Sequence, residues 1–267
     1  MMPSPPSPLT GPICTIPTLT TDLTALGIRP GDTLLVHSSL SSLGYVCGRS
    51  EAVVRAFLNT IGPTGTLVVP TQTESNSDPS EWKRPPVPEA WWPIIRAETP
   101  AFNPATTPSV GMGAVAETVR TWPGALRSAH PQISFAAVGP RAGELMEGHA
   151  VDCRLGERSP LAKLEKTGAR VVLLGVSWNR CTAFHLAEYR VKPTRETFES
   201  SFAVDAGKGR EWMTVREPDF ADEKFPEIGR DFEKSGRVVI GKVGHAETRV
   251  FDLADAVAFA EEWFNSH

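Results

Sequence analysis

Hydrophobic and polar positions follow two rhythms along this chain. Short apolar runs at Thr33-Leu-Leu-Val-His37, Thr66-Leu-Val-Val-Pro70, Phe135-Ala-Ala-Val138 and Arg170-Val-Val-Leu-Leu174 are bounded by glycine, proline or polar turns. That pattern predicts buried strands. Between them, segments at about residues 19–26, 50–61, 112–121, near Ala142, 160–166 and around His185 predict helices. The succession of strand 33–37, helix 50–61 and strand 66–70 is a β-α-β unit, and parallel strands need such a crossover. After Lys192 the rhythm changes to strand-like runs at 198–204, 212–215 and 237–243, followed by an amphipathic helix at about 253–264. The expected architecture is an α/β fold with an antiparallel C-terminal elaboration.

Two stretches fall outside the rhythm. Residues 1–17 form a proline-rich arm, expected to be flexible, ahead of a single domain over 18–267. Residues 71–108 are irregular, rich in proline, and carry Trp82, Trp91 and Trp92. An insertion of that length is expected to be functional, as a lid or a pocket wall.

Composition narrows the function classes. Of 267 residues, 40% are hydrophobic and 22% charged, which describes an ordinary soluble globular protein. No apolar run approaches the roughly 20 residues that span a bilayer, and the start lacks a basic region followed by an apolar one. A cytoplasmic location without a membrane partner is the expectation. Cys14, Cys47, Cys153 and Cys181 lack the paired spacing of zinc or redox sites and read as reduced thiols. The net charge of −4 with dispersed basic residues argues against a nucleic-acid partner and favours a cationic small molecule.

The candidate chemistry starts at Cys181-Thr-Ala-Phe-His-Leu-Ala-Glu-Tyr189, just beyond the run 170–174 and Gly175. On a helix, positions i and i+3 share a face, so Glu188 can orient His185 as a general base; a surface hydrogen-bonded pair would have the same spacing. In open α/β sheets, sites gather at the carboxyl ends of strands. Two loops offer hydroxyls and backbone amides to an anionic ligand: His37-Ser-Ser-Leu-Ser-Ser-Leu-Gly44 after a strand, and Thr106-Thr-Pro-Ser-Val-Gly-Met-Gly113 before a helix. Each is also compatible with an ordinary serine-rich turn or helix cap. No Gly-x-Gly-x-x-Gly follows a strand and no Gly-Lys-Ser/Thr loop occurs, which disfavours dinucleotides and nucleoside triphosphates.

Taken together, Leu34-Leu-Val-His-Ser-Ser-Leu40, Gly62-Pro-x-Gly-Thr-Leu-Val-Val-Pro-Thr71, Arg127-Ser-x-His-Pro131 with Ser134-Phe-Ala-Ala-Val-Gly139, Gly156 with Ser159-Pro-Leu161, and Leu173-Leu-Gly-Val176 before Thr182-Ala-Phe-His-Leu-Ala-Glu188 resemble, in order, the aminoglycoside 3-N-acetyltransferase family. The resemblance runs from about Leu26 to Phe264. It implies a single three-layer α/β/α domain with a mixed, largely parallel sheet, unrelated to the common amino-group acetyltransferase fold. It also implies acetyl-coenzyme A as co-substrate without a metal, and a polycationic amine acceptor modified at the 3-amine of deoxystreptamine. A monomer or homodimer is expected.

Carried over by position, His185 and Glu188 look like the catalytic pair, and His37, Ser38, Ser39, Leu40, Thr107, Ser109, Val110 and Gly111 like the coenzyme A contacts. Asp152 and Glu188 are the substrate-side candidates; Asp152 could instead pair with Arg154. His130 is expected to hold its loop by hydrogen bonding. Glu74, Asp78, Glu157, Glu211, Glu217, Asp219, Asp222 and Glu223 are acidic positions of open role, and Trp91 with Trp92 could wall the sugar faces or pack the core. Asn103 departs from the aspartate common in the family. Three other readings stay open: an acetyltransferase of another amine metabolite, a non-catalytic coenzyme A binding protein, and a hydrolase using Ser38 or Ser39, which lacks the Gly-x-Ser-x-Gly elbow.

Overall fold

A computed structural model describes residues 12–83, 85–191 and 196–267. In chain order its elements are α1 (Ile16–Ala25), β1 (Thr33–Ser38), α2 (Arg49–Ile61), β2 (Thr66–Pro70), α3 (Trp92–Glu98), α4 (Gly113–Arg120), β3 (Leu126–Arg127), β4 (Phe135–Val138), α5 (Ala142–Met146), α6 (Pro160–Lys166), β5 (Arg170–Leu174), α7 (Ala183–Arg190), β6 (Thr197–Asp205), β7 (Arg210–Pro218), α8 (Phe225–Lys234), β8 (Val239–Val243), β9 (Ala246–Asp252) and α9 (Leu253–Ser266). Most of the proline-rich arm, residues 1–11, lies outside the described residues. Cys14 already belongs to the fold, its amide donating to the Tyr45 carbonyl at 2.9 Å, and Thr15 caps α1 reciprocally with Thr18.

Seven strands make one sheet in the order β3-β4-β2-β1-β5-β9-β8, and β6-β7 form a separate hairpin. Parallel pairing joins β2 to β1 and β1 to β5, while both flanks are antiparallel. The parallel strands are therefore the sheet's centre, where both faces are covered. Alternation sorts their side chains into two layers. Leu35, Val68, Phe135, Val171, Leu173 and Phe251 pack with helices α5 to α9, and Leu34, Val36, Leu67, Val69, Val172 and Leu174 pack with α1, α2 and α4. The result is the expected α/β/α sandwich with a mixed sheet and an antiparallel C-terminal part, but two of its six strand pairings are parallel and four antiparallel, so the sheet is parallel at its centre and not largely parallel.

Four elements escape the sequence pattern, among them the two-residue strand β3. In α8, Pro226 and Gly229 read as breakers, yet Pro occupies the first turn, and the Gly229 backbone lies against the Trp178 ring where any side chain would collide. Its buried Phe225, Ile228 and Phe232 keep helical spacing. Strand β9 alternates buried Ala246, Thr248 and Val250 but is interrupted by charges at Glu247 and Arg249. Helix α3 sits inside the 71–108 insertion, held by a two-bond Arg96–Asp78 ion pair at 2.8 and 2.7 Å. None of the described helices is long and apolar enough to cross a membrane.

Candidate active site

The parallel strands β1, β2 and β5 all end at one cleft of about 740 Å³, within the usual range for a small-molecule site. Ser38, Pro70 and Gly175, at or just past those ends, line it. Gly175 must be glycine: its φ is +65°, and an added Cβ would lie 2.5 Å from Ser42 Cβ. Ser42 in turn donates to the Gly175 carbonyl at 3.0 Å, tying the turn after β1 to the turn after β5.

Helix α7 carries His185 to this cleft with its side chain 13% exposed, and buries Glu188 beneath it at 0%. His185 Nδ1 and Glu188 Oε2 are 2.5 Å apart. The other carboxylate oxygen, Oε1, accepts from the Ala221 amide at 2.6 Å. Phe220 and Phe225 pack on the imidazole, with ring centroids at 4.3 and 4.7 Å. With Nδ1 engaged by a fixed carboxylate, Nε2 is left as the nitrogen for proton exchange on the cleft side.

A second histidine stands beside the first. His37 is 5% exposed and pairs through Nε2 with the Thr182 hydroxyl at 3.2 Å. Burial first, then the neighbouring His185 and Arg180, pushes its pKa down to about 3, so it is neutral. Thr182 precedes α7 without capping it, its hydroxyl being taken by His37.

The expected anion-binding positions divide. His37, Ser38, Ser39, Leu40 and Gly111 line the cleft. Thr107, Ser109 and Val110 do not: the Thr107 hydroxyl accepts from the Asn103 amide at 3.0 Å, and Ser109 donates through both amide and hydroxyl to Glu117 Oε2, at 3.2 and 2.6 Å. The Ser39 amide is likewise committed to the Leu174 carbonyl, at 2.9 Å. The Ser39 hydroxyl bonds to Ser41 and Ser42, at 3.2 and 2.9 Å.

On the acceptor side, Asp152 is outside the cleft. Its side chain is 51% exposed and pairs with Arg158 at 2.8 Å, which lowers its pKa, and Arg154 is instead turned inward to Gln132 and Ser200. The carboxylates that do line the cleft are Glu74, in the insertion, and Asp222, one residue past the amide that holds Glu188. Loop charges have no periodicity to mark them; their positions just after a strand end and beside the Phe220 contact were the available signals. Ser41, Gln72, Ser177, Asn179, Arg180 and Thr182 complete the polar lining.

Asn103 caps a turn, its Oδ1 accepting from Ala105 and Thr106 amides at 2.9 and 3.3 Å. His130 holds its loop as expected, Nδ1 accepting from the Gln132 and Ile133 amides at 3.2 and 3.1 Å. Neither Trp91 nor Trp92 lines the cleft: Trp91 is exposed, and Trp92 lies under the Arg96 guanidinium.

A family model described as Aminoglycoside 3-N-acetyltransferase matches residues 35–265. The chain belongs to that family. It is 44% identical to the SPbeta prophage-derived aminoglycoside N(3')-acetyltransferase-like protein YokD of Bacillus subtilis, over 92% of this chain and 90% of that one. The crystal structure of YokD superposes with a TM-score of 0.94 at 42% identity, covering 97% and 96% of the two chains. Two further solved structures share the fold: AAC-IIIb as a binary complex with CoASH (29% identity, TM-score 0.85, 96% and 97% covered) and AAC-VIa bound to sisomicin (30%, 0.86, 96% and 98%). Family membership makes this chain an acyltransferase of the antibiotic-modifying class.

Proposed function

We propose that this acyltransferase moves the acetyl group of acetyl-coenzyme A to the 3-amino group of deoxystreptamine aminoglycosides, with His185 as general base and Glu188 as its orienting partner. The observation that carries the reading is the 2.5 Å His185–Glu188 pair facing a cleft at the ends of three parallel strands. A protonated amine cannot attack a thioester, so the acceptor first loses one proton to solvent; His185 Nε2 then takes a second proton from the neutral amine as its nitrogen bonds to the acetyl carbonyl carbon. The carbon–sulfur bond breaks, and the proton passes to the departing thiol. Glu188 holds the ring so that Nε2 faces the acceptor, and stabilises the imidazolium.

The cleft suits both substrates. Ser38, Ser39, Ser41 and Ser177 supply hydroxyls, and Arg180 is the one arginine or lysine among its lining residues, which fits a phosphate-bearing ligand. Glu74 and Asp222 supply negative charge for ammonium groups. Support for these assignments to substrate also comes from the two relatives whose structures hold CoASH and sisomicin.

The test is release of coenzyme A thiol from acetyl-coenzyme A by purified protein with a panel of aminoglycosides and unrelated amines. Release that depends on deoxystreptamine antibiotics, with the product modified at the 3-amine, is expected. Release with an unrelated amine alone would replace the acceptor class, and binding of coenzyme A without turnover of any amine would remove the catalytic reading.

A further inference from the structure

Arg127 lies behind the cleft wall and makes an unusual set of bonds. Nε donates to Ser134 Oγ at 2.9 Å and to Thr71 Oγ1 at 3.2 Å; Nη2 donates to the Thr71 carbonyl at 2.6 Å and Thr73 Oγ1 at 3.2 Å; Nη1 reaches the carbonyls of Thr107 and, at 3.4 Å, Pro104. Its guanidinium also stacks on Phe102, 4.9 Å from the ring centroid. Every hydrogen-bond partner is a neutral oxygen, and among the described residues no carboxylate forms an ion pair with it. Burial brings its pKa down to about 10, so it remains a cation at neutral pH. Burying a cation without a counter-ion is costly, and a planar fork with five donors recovers that cost only by joining several acceptors at once.

The segments it joins form one side of the cleft. Residues 71–74 alternate in placement: Thr71 and Thr73 are buried and bond to Arg127, while Gln72 and Glu74 line the cleft. The Gln72 carbonyl accepts from the Val110 amide at 2.8 Å, coupling this wall to the loop that continues through Gly111 to Gly113. Beyond Glu74, Asn76 clamps the segment to β6 with two bonds to Ala203, each 2.9 Å.

We propose that Arg127 is a positioning residue that fixes the 71–74 wall so that the Glu74 carboxylate faces the ammonium groups of the acceptor. This rests on the acceptor reading above. Arg127 touches neither substrate in this scheme, and its effect passes through Glu74.

The experiment measures steady-state constants and aminoglycoside binding by calorimetry for wild type, R127M, R127K, E74Q, T73V and the R127M/E74Q double variant, with thermal unfolding alongside. R127M is expected to raise acceptor KM about tenfold or more, with kcat and the acetyl-coenzyme A KM changed less than about threefold; R127K falls between R127M and wild type. T73V, which removes one acceptor and keeps the shape, is expected to raise acceptor KM about two- to tenfold, and it remains readable if R127M does not fold. The double variant is expected to bind acceptor no worse than the weaker single variant. Additive losses in the double variant, equal losses for both substrates, or a lower melting temperature with unchanged acceptor KM would each overturn the proposal and leave the acetyl-transfer reading standing. Aminoglycoside binding weakened by R127M and E74Q without any turnover would support the positioning role and remove the reaction; a wild type that binds no aminoglycoside would overturn both.

Discussion

Two of the histidine-centred side-chain pairs among the described residues differ in setting. On α7, His185 meets a carboxylate and opens to the cleft. Under the loop after β3, His130 and His149 pack ring to ring at 4.8 Å, away from the cleft. There His130 Nδ1 accepts from two backbone amides, and His149 bonds to Ser128 through Nδ1 and to the Cys153 and Arg154 carbonyls through Nε2. Burial holds His130 well below its ordinary pKa and takes His149 to about 4. The partner decides the role: a carboxylate can hold an imidazolium, whereas an amide that donates to Nδ1 requires that nitrogen to be unprotonated.

That contrast can be broken most forcefully at the dyad. His185→Ala should lower kcat about a hundredfold to ten-thousandfold while the protein melts near wild type, and near-normal turnover would end the base assignment. Glu188→Gln keeps the shape and loses a charged hydrogen bond worth about 1.5–3 kcal/mol, so a fall of about ten- to a hundredfold in kcat is expected from the same assay.

The interior pair should respond in stability instead. His149→Phe is expected to cost about 1–3 kcal/mol by denaturant unfolding, because Ser128 and two carbonyls lose a buried partner, with turnover per folded molecule unchanged. Its pH dependence has a definite sign. A histidine whose folded pKa is about 4 against an ordinary 6.5 binds fewer protons when folded, so its contribution is present above pH 6.5 and is lost as pH falls towards 4. His149→Gln should flatten the acid limb of the stability profile in that window, and an unchanged slope would contradict the buried neutral state.

The smallest effect belongs to Asp152. Half exposed and paired with Arg158, it should tolerate Asp152→Asn with stability changed by less than about 1 kcal/mol and acceptor KM unaltered. A tenfold rise in acceptor KM would instead return it to the substrate side.

The sheet was legible because its physics is local. Leu34-Leu-Val36 and Val171-Val-Leu-Leu174 are apolar on both faces, which a doubly covered parallel strand demands. The His185–Glu188 spacing was legible for the same reason, since a helix puts i and i+3 together. What stayed hidden depends on long-range contact. Gly229 reads as a breaker until Trp178 lies over it, and Glu74 and Asp222 are two acids among many until β2 and the segment after β7 bring them to one cleft. Arg127 belongs to a motif whose residues were visible, but its six oxygen partners come from segments as far as 56 positions away.

Glu188 spends one oxygen on the histidine three residues before it and the other on the Ala221 amide, 33 residues later. Between those two points in the sequence lies the β6–β7 hairpin, a sheet separate from the seven-stranded one. The geometry of the pair is thus divided: α7 supplies both side chains, and the segment after β7 supplies an amide that holds the carboxylate. A fragment ending after α7 would retain every residue of the His-x-x-Glu spacing and lack the Ala221 amide that binds the carboxylate, so the motif and its geometry are separable.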